Sequence, residues 1–314
     1  MSPPTGVVAI VGATATGKSD LAVAIAQGLG GEVVNADSMQ LYRGMDVGTA
    51  KLPPEGRGGV PHHLLDVWDV REPANVADYQ RLARAVFAEI TGRGRTPVLV
   101  GGSGLYVRAA VDDLDFPGTD EAVRARLDEE LAAVGPVALH ARLTAVDPSA
   151  AAAILPGNGR RVVRALEVVE ITGAPFVARL PDPAYAVATS QLGLTLDRAV
   201  LDERITRRVD RMWEQGLVAE VVALEARGLR EGRTASRALG YAQVLRHLAG
   251  ECSEEQAREE TVRATRRFAR RQESWFRRDA RVWWLDATDA TKDSADPSAL
   301  AESALVALGG MTGN

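Results

Sequence analysis

The sequence predicts an α/β fold in which helices flank a parallel sheet and an all-helical segment is inserted. Short apolar runs alternate with helical segments in the first part of the chain, and a glycine-rich loop follows the first run. Strand candidates then disappear between Thr119 and Thr172. Buried strands that alternate with helices are typical of doubly wound parallel sheets. We therefore assign 1–113 to the first part of the core, 114–188 to a helical insertion domain and 189–314 to the second part of the core.

Three apolar runs in the first part of the core are predicted as strands: Val7–Val11, Glu32–Asn35 and Pro97–Val100. Apolar residues at helical spacing predict helices from Lys18 to about Leu29 and from Asp78 to about Thr91. Ligands bind beyond the carboxyl ends of the strands in such sheets. We therefore expect the residues that follow these three strands to line one crevice.

The insertion is predicted to consist of helices that glycine and proline residues separate. Its helical blocks are Asp120–Ala133, Pro136–Ala145, Pro148–Ile154 and Asn158–Ile171. A strand that returns to the sheet is predicted at Gln191–Leu196, followed by a helix at Asp202–Gln215. A further long helix is predicted at Arg263–Arg281.

The most specific motif follows the first predicted strand. The octapeptide Gly12-Ala13-Thr14-Ala15-Thr16-Gly17-Lys18-Ser19 fits the phosphate-binding pattern G-x-x-x-x-G-K-[ST]. Its glycines let the backbone wrap an anion, and the N–H groups that begin the next helix point at that anion. Lys18 adds a positive charge, and the Ser19 hydroxyl is a candidate ligand for Mg²⁺. The motif therefore predicts a P-loop NTPase-like core that binds a diphosphate or a triphosphate, without distinguishing the two.

Polar residues after the other strands are candidates for the same crevice. Asp37 ends the second strand and suits three roles, as a partner of Mg²⁺, a helix cap or a general base. A carboxylate beside a phosphate site is unfavourable unless a metal or a proton transfer uses it. The turn Gly101-Gly102-Ser103-Gly104 suits either a structural turn or the close approach of a ligand. The pair His62-His63 suggests a metal site, but neighbours on an extended chain point to opposite faces, which favours structural roles.

Composition excludes several classes of protein. The chain has 314 residues, of which 46% are hydrophobic and 25% are charged, and no apolar run approaches the roughly 20 residues of a membrane span. Met1–Pro4 has no basic region, so we expect no signal peptide. Cys252 is the one cysteine, which excludes an intrachain disulfide and a cysteine-based metal cluster. We therefore expect a cytoplasmic protein.

The distribution of positive charge is more informative than the net charge of −5. The predicted helix Arg263–Arg281 contains a stripe of positively charged side chains, and its only acidic residues are Glu273 and Asp279. Its arginines are Arg263, Arg266, Arg267, Arg270, Arg271, Arg277, Arg278 and Arg281. Such a stripe suits a polyanion, whereas a solvated helix face normally pairs both signs. Binding of a polyanion and an ordinary solvated face both stay open for this helix. Arg160, Arg161 and Arg164 form a second basic cluster in the insertion.

Several ordered blocks along nearly the whole chain resemble the tRNA dimethylallyltransferases, the bacterial tRNA isopentenyltransferase family. They are Gly12–Ser19, Asp37–Tyr42, Gly44–Lys51, Pro61–Asp66, Val100–Tyr106, Arg161 with Arg164–Glu167, Leu239–Tyr241, and Arg271-Gln272 with Trp275. The resemblance implies transfer of a dimethylallyl group from dimethylallyl diphosphate to N6 of an adenine in tRNA. That adenine is position 37, next to the anticodon, in tRNAs that read codons starting with U. The P-loop then holds the diphosphate that leaves.

The resemblance also implies roles for individual residues. Asp37 is the general base, and Ser103 lines the channel where donor and acceptor meet. The implied tRNA contacts are Asp37, Ser38, Met39, Gln40, Ser103, Arg124, Arg160, Arg161, Arg164, Arg266 and Arg270. We expect Mg²⁺ as the cofactor, with Ser19 as its ligand. The expected partners are the tRNA anticodon stem-loop and dimethylallyl diphosphate, with no membrane, and the chain is expected to be a monomer.

The sequence departs from the family at two of these positions. Serine stands at position 103 where the family usually has threonine, which keeps the hydroxyl. Arginine stands at position 160 where glutamine is common, which leaves that tRNA contact open. Two alternatives share the P-loop. The first is a kinase of a small metabolite or nucleotide, which explains Lys18, Ser19 and Asp37 but not the arginine helix. The second is a nucleic-acid-binding NTPase that catalyses no group transfer.

Overall fold

A computed structural model of the chain describes residues 6–178, 180–288 and 297–311. The N-terminal residues considered above for a signal peptide lie outside this part. In the described residues, six strands form one sheet in the order β3-β2-β4-β1-β5-β6, with every neighbouring pair parallel. The strands are β1 (Val7–Gly12), β2 (Glu32–Asn35), β3 (His62–His63), β4 (Pro97–Gly101), β5 (Thr189–Thr195) and β6 (Val282–Asp286). The prediction of a parallel sheet flanked by helices is confirmed.

Helices lie between the strands along the chain and after the last strand. In chain order they are α1 (Lys18–Leu29), α2 (Val76–Gly92), α3 (Gly104–Val111), α4 (Glu121–Val146), α5 (Pro148–Ala153), α6 (Gly159–Thr172), α7 (Arg198–Glu214), α8 (Leu217–Glu225), α9 (Tyr241–Leu248), α10 (Glu254–Phe276) and α11 (Pro297–Met311). The break predicted before Pro136 is a kink inside α4, because Gly135 has a φ of 78° there. Among the described residues, no helix is both long enough and apolar enough to cross a bilayer.

The predicted bounds of the long helix in the last third of the chain were wrong, and two edge strands were not predicted. The predicted helix Arg263–Arg281 begins earlier, at Glu254, because Ser253 and Gln256 form a capping box. It ends at Phe276, and the chain then enters β6 at the edge of the sheet. The strands β3 and β6 were not predicted. β3 has only two residues, which is too short for a periodic pattern, and the run Val282–Asp286 was not separated from the preceding helical segment.

The chain divides into two compact units, which are Met1–Asp112 with Tyr185–Asn314, and Asp113–Ala184. The first unit contains the sheet. Its core places β1 residues such as Val8 and Ile10 against α1 residues such as Leu21 and Ile25. The second unit contains α4, α5 and α6, which bury a separate cluster that includes Leu139. Each unit therefore has its own hydrophobic core.

The P-loop packs against two helices from the second half of the chain. Ala13 and Ala15 of the loop form a small cluster with Ile205 of α7 and Ala269 of α10. All four residues are buried. Because α7 and α10 lie against the loop, side chains on these helices can reach a ligand in the loop, although they are far away in sequence.

Candidate active site

The loop Gly12–Ser19 has the backbone shape of an anion cradle. Gly12 has a φ of 138°, and a Cβ there would lie 2.6 Å from the Leu194 carbonyl oxygen, so both conformation and space require glycine. Gly17, with a φ of 93°, is the N-cap of α1. The Thr16 hydroxyl donates to the Ala13 carbonyl at 2.9 Å, which fixes the loop from inside. The first N–H groups of α1 have no partner within the helix and are oriented for an anion.

Asp37 lies just beyond β2, where a buried asparagine shapes the turn. The Asn35 side chain accepts from the Asp37 N–H at 2.9 Å and donates to the Asp37 and Leu64 carbonyls at 3.0 and 2.9 Å. The Asp37 carboxylate accepts from the Met39 N–H at 2.9 Å through Oδ1. Asp37 therefore caps a turn and not a helix, since no helix begins there. Its other oxygen, Oδ2, forms no hydrogen bond within the described residues, and the side chain is half-buried.

Ser103 lies next to this turn because β2 and β4 are neighbours in the sheet. Its hydroxyl accepts from the Ser38 N–H at 3.3 Å and lies 3.3 Å from the Ser38 hydroxyl. A Cβ at Gly101 would lie 2.5 Å from the Ala36 backbone, which shows how closely the two strand ends approach. Since β4 also pairs with β1, the turns that carry Asp37, Ser103 and the P-loop follow three adjacent strands.

The charges of this region act on one another. Burial, followed by the positive charge of Arg208, lowers the pKa of Lys18 to about 7, while the Asp37 carboxylate acts in the opposite direction. Burial also lowers the pKa of Arg208, against the opposing effect of Asp37. Lys18 donates a hydrogen bond to the Ala13 carbonyl of its own loop. Two basic groups and one carboxylate thus act on one another here, and both basic groups favour an added anion.

Arg208 was missed in the sequence analysis. It lies on α7, and it donates to the Thr49 carbonyl at 3.2 Å. The apolar face of this helix, with Ile205 and Val209, predicted its packing correctly. The polar side of the same helix carried a signal for a functional surface, because Arg204 and Arg208 are one turn apart and lie on the same side. Nothing in the sequence, however, places that side beside the P-loop.

The predicted tRNA-contacting segment after Asp37 is a turn that one side-chain and one backbone hydrogen bond hold. Gln40 donates to the Thr49 carbonyl at 3.1 Å, and the Met39 carbonyl accepts from the Tyr42 N–H at 3.3 Å. Ser38, Met39 and Gln40 are all half-buried. They therefore lie beside Asp37 and Ser103 and retain some exposed surface.

The histidine pair has structural contacts, which the parallel edge strand β3 arranges. The Nε2 atom of His63 lies 2.6 Å from the buried carboxylate of Glu32, which also accepts from Arg93 at 2.8 Å. The Nδ1 atom of His62 lies 2.9 Å from the Val60 carbonyl. In the part of the chain that the structure describes, no group of three or more His, Cys, Asp or Glu side chains is arranged to hold a metal ion.

The donor set at the P-loop nevertheless fits a magnesium ion that a phosphate ligand brings with it. Mg²⁺ prefers oxygen ligands and keeps several waters, so it needs only one or two protein ligands when phosphates are present. The hydroxyl of Ser19 lies in the first turn of α1, directly after Lys18. Ser19 can therefore hold Mg²⁺ together with phosphate oxygens and water.

The predicted basic residues of the second unit differ in what they contact. Arg124 and Arg164 both pair with Glu167, whose side chain is fully buried, and the Arg164 bond is 2.7 Å. Arg161 is exposed and donates to the Ala178 carbonyl. Arg160 is exposed. Arg124 and Arg164 thus neutralise a buried carboxylate of their own unit, whereas Arg160 and Arg161 reach solvent.

The arginine stripe of α10 is shorter and less uniform than predicted. Arg277, Arg278 and Arg281 lie beyond the end of the helix, and Arg281 pairs with the buried Asp112 at 2.8 Å. Arg266 donates to the Thr206 hydroxyl of α7 at 2.8 Å.

Other arginines of α10 have acidic partners or remain exposed. Arg263 and Arg267 pair with Glu260 at 3.1 and 2.8 Å, because the helix begins earlier than predicted and brings acidic residues onto this face. Arg270 and Arg271 are exposed and form no ion pair with the described residues. The predicted stripe is thus reduced to a smaller cationic surface.

Comparisons with known proteins agree with this architecture. The family model for IPP transferase matches residues 40–279. A protein of Thermobifida fusca named tRNA dimethylallyltransferase is 70% identical over 90% of this chain and 91% of its own length. A protein of the same name from Streptomyces avermitilis is 69% identical over 92% of each chain.

Solved structures agree as well. The tRNA isopentenylpyrophosphate transferase of Bacillus halodurans is 44% identical, has a TM-score of 0.70, and covers 97% of this chain and 96% of its own. A eukaryotic dimethylallyltransferase acting on tRNA is 26% identical and has a TM-score of 0.78 over 96% of this chain and 79% of its own. Both the sequence and the fold, which is P-loop NTPase-like, therefore match along nearly the whole chain. The chain belongs to the IPP transferase family.

Proposed function

We propose that this chain is a tRNA dimethylallyltransferase. It transfers a dimethylallyl group from dimethylallyl diphosphate to N6 of the adenine at tRNA position 37, in tRNAs that read codons starting with U. The products are N6-(dimethylallyl)adenosine and diphosphate. The observation that carries the proposal is that Asp37, in the turn after β2, acts electrostatically on both Lys18 of the P-loop and Arg208 of α7. The names of the relatives support the same reaction.

The P-loop residues Gly12–Ser19 bind the diphosphate of the donor. Backbone N–H groups of the loop and the ammonium of Lys18 stabilise the charge that develops as the C–O bond to diphosphate breaks. Arg208 adds a second fixed cation on the α7 side of the loop. Mg²⁺ held by Ser19 would supply further positive charge to the phosphate oxygens. These groups lower the barrier because they are already in place when the leaving group departs.

Asp37 acts as the general base on the acceptor. Electron density from N6 of adenine forms the new N–C bond to the dimethylallyl group, and the proton of N6 passes to the Asp37 carboxylate. The Met39 N–H fixes Oδ1, which leaves Oδ2 to accept this proton. A positioned base of this kind contributes about 10²–10⁴-fold to the rate. Ser103, hydrogen-bonded to the Ser38 backbone, lines the channel between donor and acceptor.

The adenine reaches this crevice by extrusion from the anticodon loop. A stacked base cannot present N6 to a buried electrophile, and a single-stranded loop gives up a base at low energetic cost. Ser38, Met39 and Gln40 contact the nucleotide beside Asp37. Arg160 and Arg161 of the unit Asp113–Ala184 contact the tRNA, and Arg124 and Arg164 shape the surface beside them. The exposed Arg270 contributes a phosphate contact on α10, and Arg266 positions that helix on α7.

The chain acts as a monomer in the cytoplasm and needs no membrane. The competing kinase function shares Lys18, Ser19 and the P-loop, but the names and structures of the relatives do not favour it. A kinase would require a triphosphate donor in the cradle, whereas the prenyl donor carries only a diphosphate. The two functions therefore differ in their need for ATP.

The experiment that separates them supplies isotope-labelled dimethylallyl diphosphate, Mg²⁺ and unmodified tRNA, without ATP, and analyses the tRNA nucleosides by mass spectrometry. We expect labelled N6-(dimethylallyl)adenosine from position 37 and release of diphosphate. A matched tRNA with guanine at that position should stay unlabelled. A parallel reaction contains ATP as well. Hydrolysis of that ATP or phosphorylation of a small molecule, with tRNA unlabelled in both reactions, would support the kinase instead.

A further inference from the structure

Gln272 of α10 connects two loops of the active site. Its side-chain oxygen accepts from the Thr14 N–H of the P-loop at 2.9 Å. Its side-chain nitrogen donates to the Gly102 carbonyl at 2.9 Å. Gly102 directly precedes Ser103, and Gln272 is only 5% exposed. One buried amide thus joins the diphosphate cradle to the turn that carries the Ser103 hydroxyl.

The chemistry of both partners fixes the orientation of this amide. A backbone N–H only donates and a carbonyl only accepts, so the amide oxygen must face Thr14 and the nitrogen must face Gly102. Replacement by an apolar side chain leaves both backbone groups without their partner in a buried place, where unpaired polar groups are costly. The bridge therefore specifies one separation between the two loops.

The glycines of the turn are explained by the approach of α10. A Cβ at Gly102 would lie 2.2 Å from the side-chain nitrogen of Gln272. A Cβ at Gly104 would lie 2.1 Å from the indole nitrogen of Trp275, one turn further along the helix. Ala269 of the same helix packs with Ala13 of the P-loop. The helix thus contacts both loops directly, with Gln272 at the centre of the contact.

We propose that Gln272 is a positioning residue for the transfer reaction. It holds the P-loop and the Ser103 turn at the separation at which the donor carbon meets N6 of adenine. This inference rests on the proposed function. Gln272 has no contact with the reacting groups in this role and acts through Thr14 and Gly102.

The test compares Gln272→Met with the wild-type chain in steady-state transfer assays. Methionine has a similar length and lacks both hydrogen bonds. We expect the KM for dimethylallyl diphosphate to rise and kcat to fall, each by roughly tenfold, because small misplacements of reacting groups cost up to about 10²-fold in rate. The dissociation constant for tRNA should change far less than the KM for the donor, since the exposed face of α10 is unchanged.

The matched control is Gln256→Met, which removes a glutamine from the same helix at its capping box. That variant should lose thermal stability and keep the wild-type KM for the donor. If Gln272→Met does not fold, Gln272→Asn provides the second test, because it keeps the amide but is too short to reach both loops. Asparagine should give the same change in KM and kcat as methionine.

A wild-type KM and kcat in Gln272→Met or Gln272→Asn would overturn the inference. A fall in kcat that only matches the unfolded fraction, with the donor KM unchanged, would also overturn it, because a purely structural role predicts that result. Failure of the wild-type chain to label tRNA would instead refute the proposed function. The two failures are therefore distinguishable.

Discussion

The exposed arginines of α10 allow a quantitative test of tRNA binding. Arg270 and Arg271 are exposed and form no ion pair with residues that the structure describes, although the Arg271 guanidinium lies 5.7 Å from the Phe268 ring centre. We consider the double variant Arg270→Gln with Arg271→Gln, because glutamine keeps a high helix propensity. If each arginine contacts one phosphate, binding of the variant should release fewer counterions.

The expected magnitude follows from the number of contacts. Each phosphate contact contributes roughly 0.7–0.9 to the slope of log affinity against log salt concentration. Loss of two contacts should therefore flatten the slope by about 1.4–1.8. Between about 50 and 200 mM salt, the wild-type chain should lose roughly tenfold more affinity than the double variant.

The assay is a fluorescence titration of a labelled anticodon stem-loop at several salt concentrations, with helix content checked by circular dichroism. The control is Arg263→Gln with Arg267→Gln, since both arginines already pair with Glu260. Its slope should stay close to that of the wild-type chain. Equal slopes for the wild-type chain and the Arg270/Arg271 variant would show that this face does not bind phosphate and that it is an ordinary solvated surface.

Three further predictions concern single residues. Asp37→Asn keeps the acceptor for the Met39 N–H, so single-turnover transfer should fall by about 10²–10⁴-fold while tRNA binding persists; near-normal turnover would remove Asp37 as the base. The pKa of Lys18 is about 7 in the ligand-free chain, and a bound anion raises this pKa. Calorimetry should therefore detect proton uptake when inorganic diphosphate binds, and the affinity for diphosphate should weaken above pH 7. Lys18→Arg should lack that extra pH dependence. If the variant and the wild-type chain had the same pH profile of diphosphate affinity, Lys18 would not be the titrating group. Burial acts to raise the pKa of Glu32, but hydrogen bonds from His63 and Arg93 outweigh it and hold the pKa below 4.5. The resulting stability is present above pH 4.5 and is lost as the pH falls through the folded-state value. Glu32→Gln should therefore lower the free energy of unfolding by about 1–3 kcal/mol at neutral pH, with a smaller difference in acid; a difference that does not depend on pH would refute the ion-pair explanation.

Local patterns predicted the P-loop side of the site well. The helix Lys18–Leu29 and the strand Glu32–Asn35 are observed with the predicted bounds. Strand, glycine turn and helix follow one another within a short stretch. Local propensity and the motif therefore predict the same structure there. Parallel pairing then places Asp37 and the Ser103 turn at the same edge of the sheet, as the rule for strand ends predicts.

Contacts between distant segments could not be predicted in this way. Gln272 bonds to Thr14, which is 258 residues away in sequence, and Arg208 acts on Lys18 only because α7 packs on the P-loop. Nothing in the periodicity of α7 or α10 specifies which loop each helix touches. The length of the arginine stripe was overestimated for a related reason, because the edge strand Val282–Asp286 is defined by its pairing with β5.

A crystal structure of the chain with an anticodon stem-loop and a thio-diphosphate analogue of the donor is the most direct test of a shared crevice. We expect the diphosphate on the backbone N–H groups of Gly12–Ser19 and N6 of the extruded adenine within hydrogen-bonding distance of the Asp37 carboxylate. A diphosphate bound elsewhere, or an Asp37 carboxylate directed away from the adenine, would contradict the proposed chemistry.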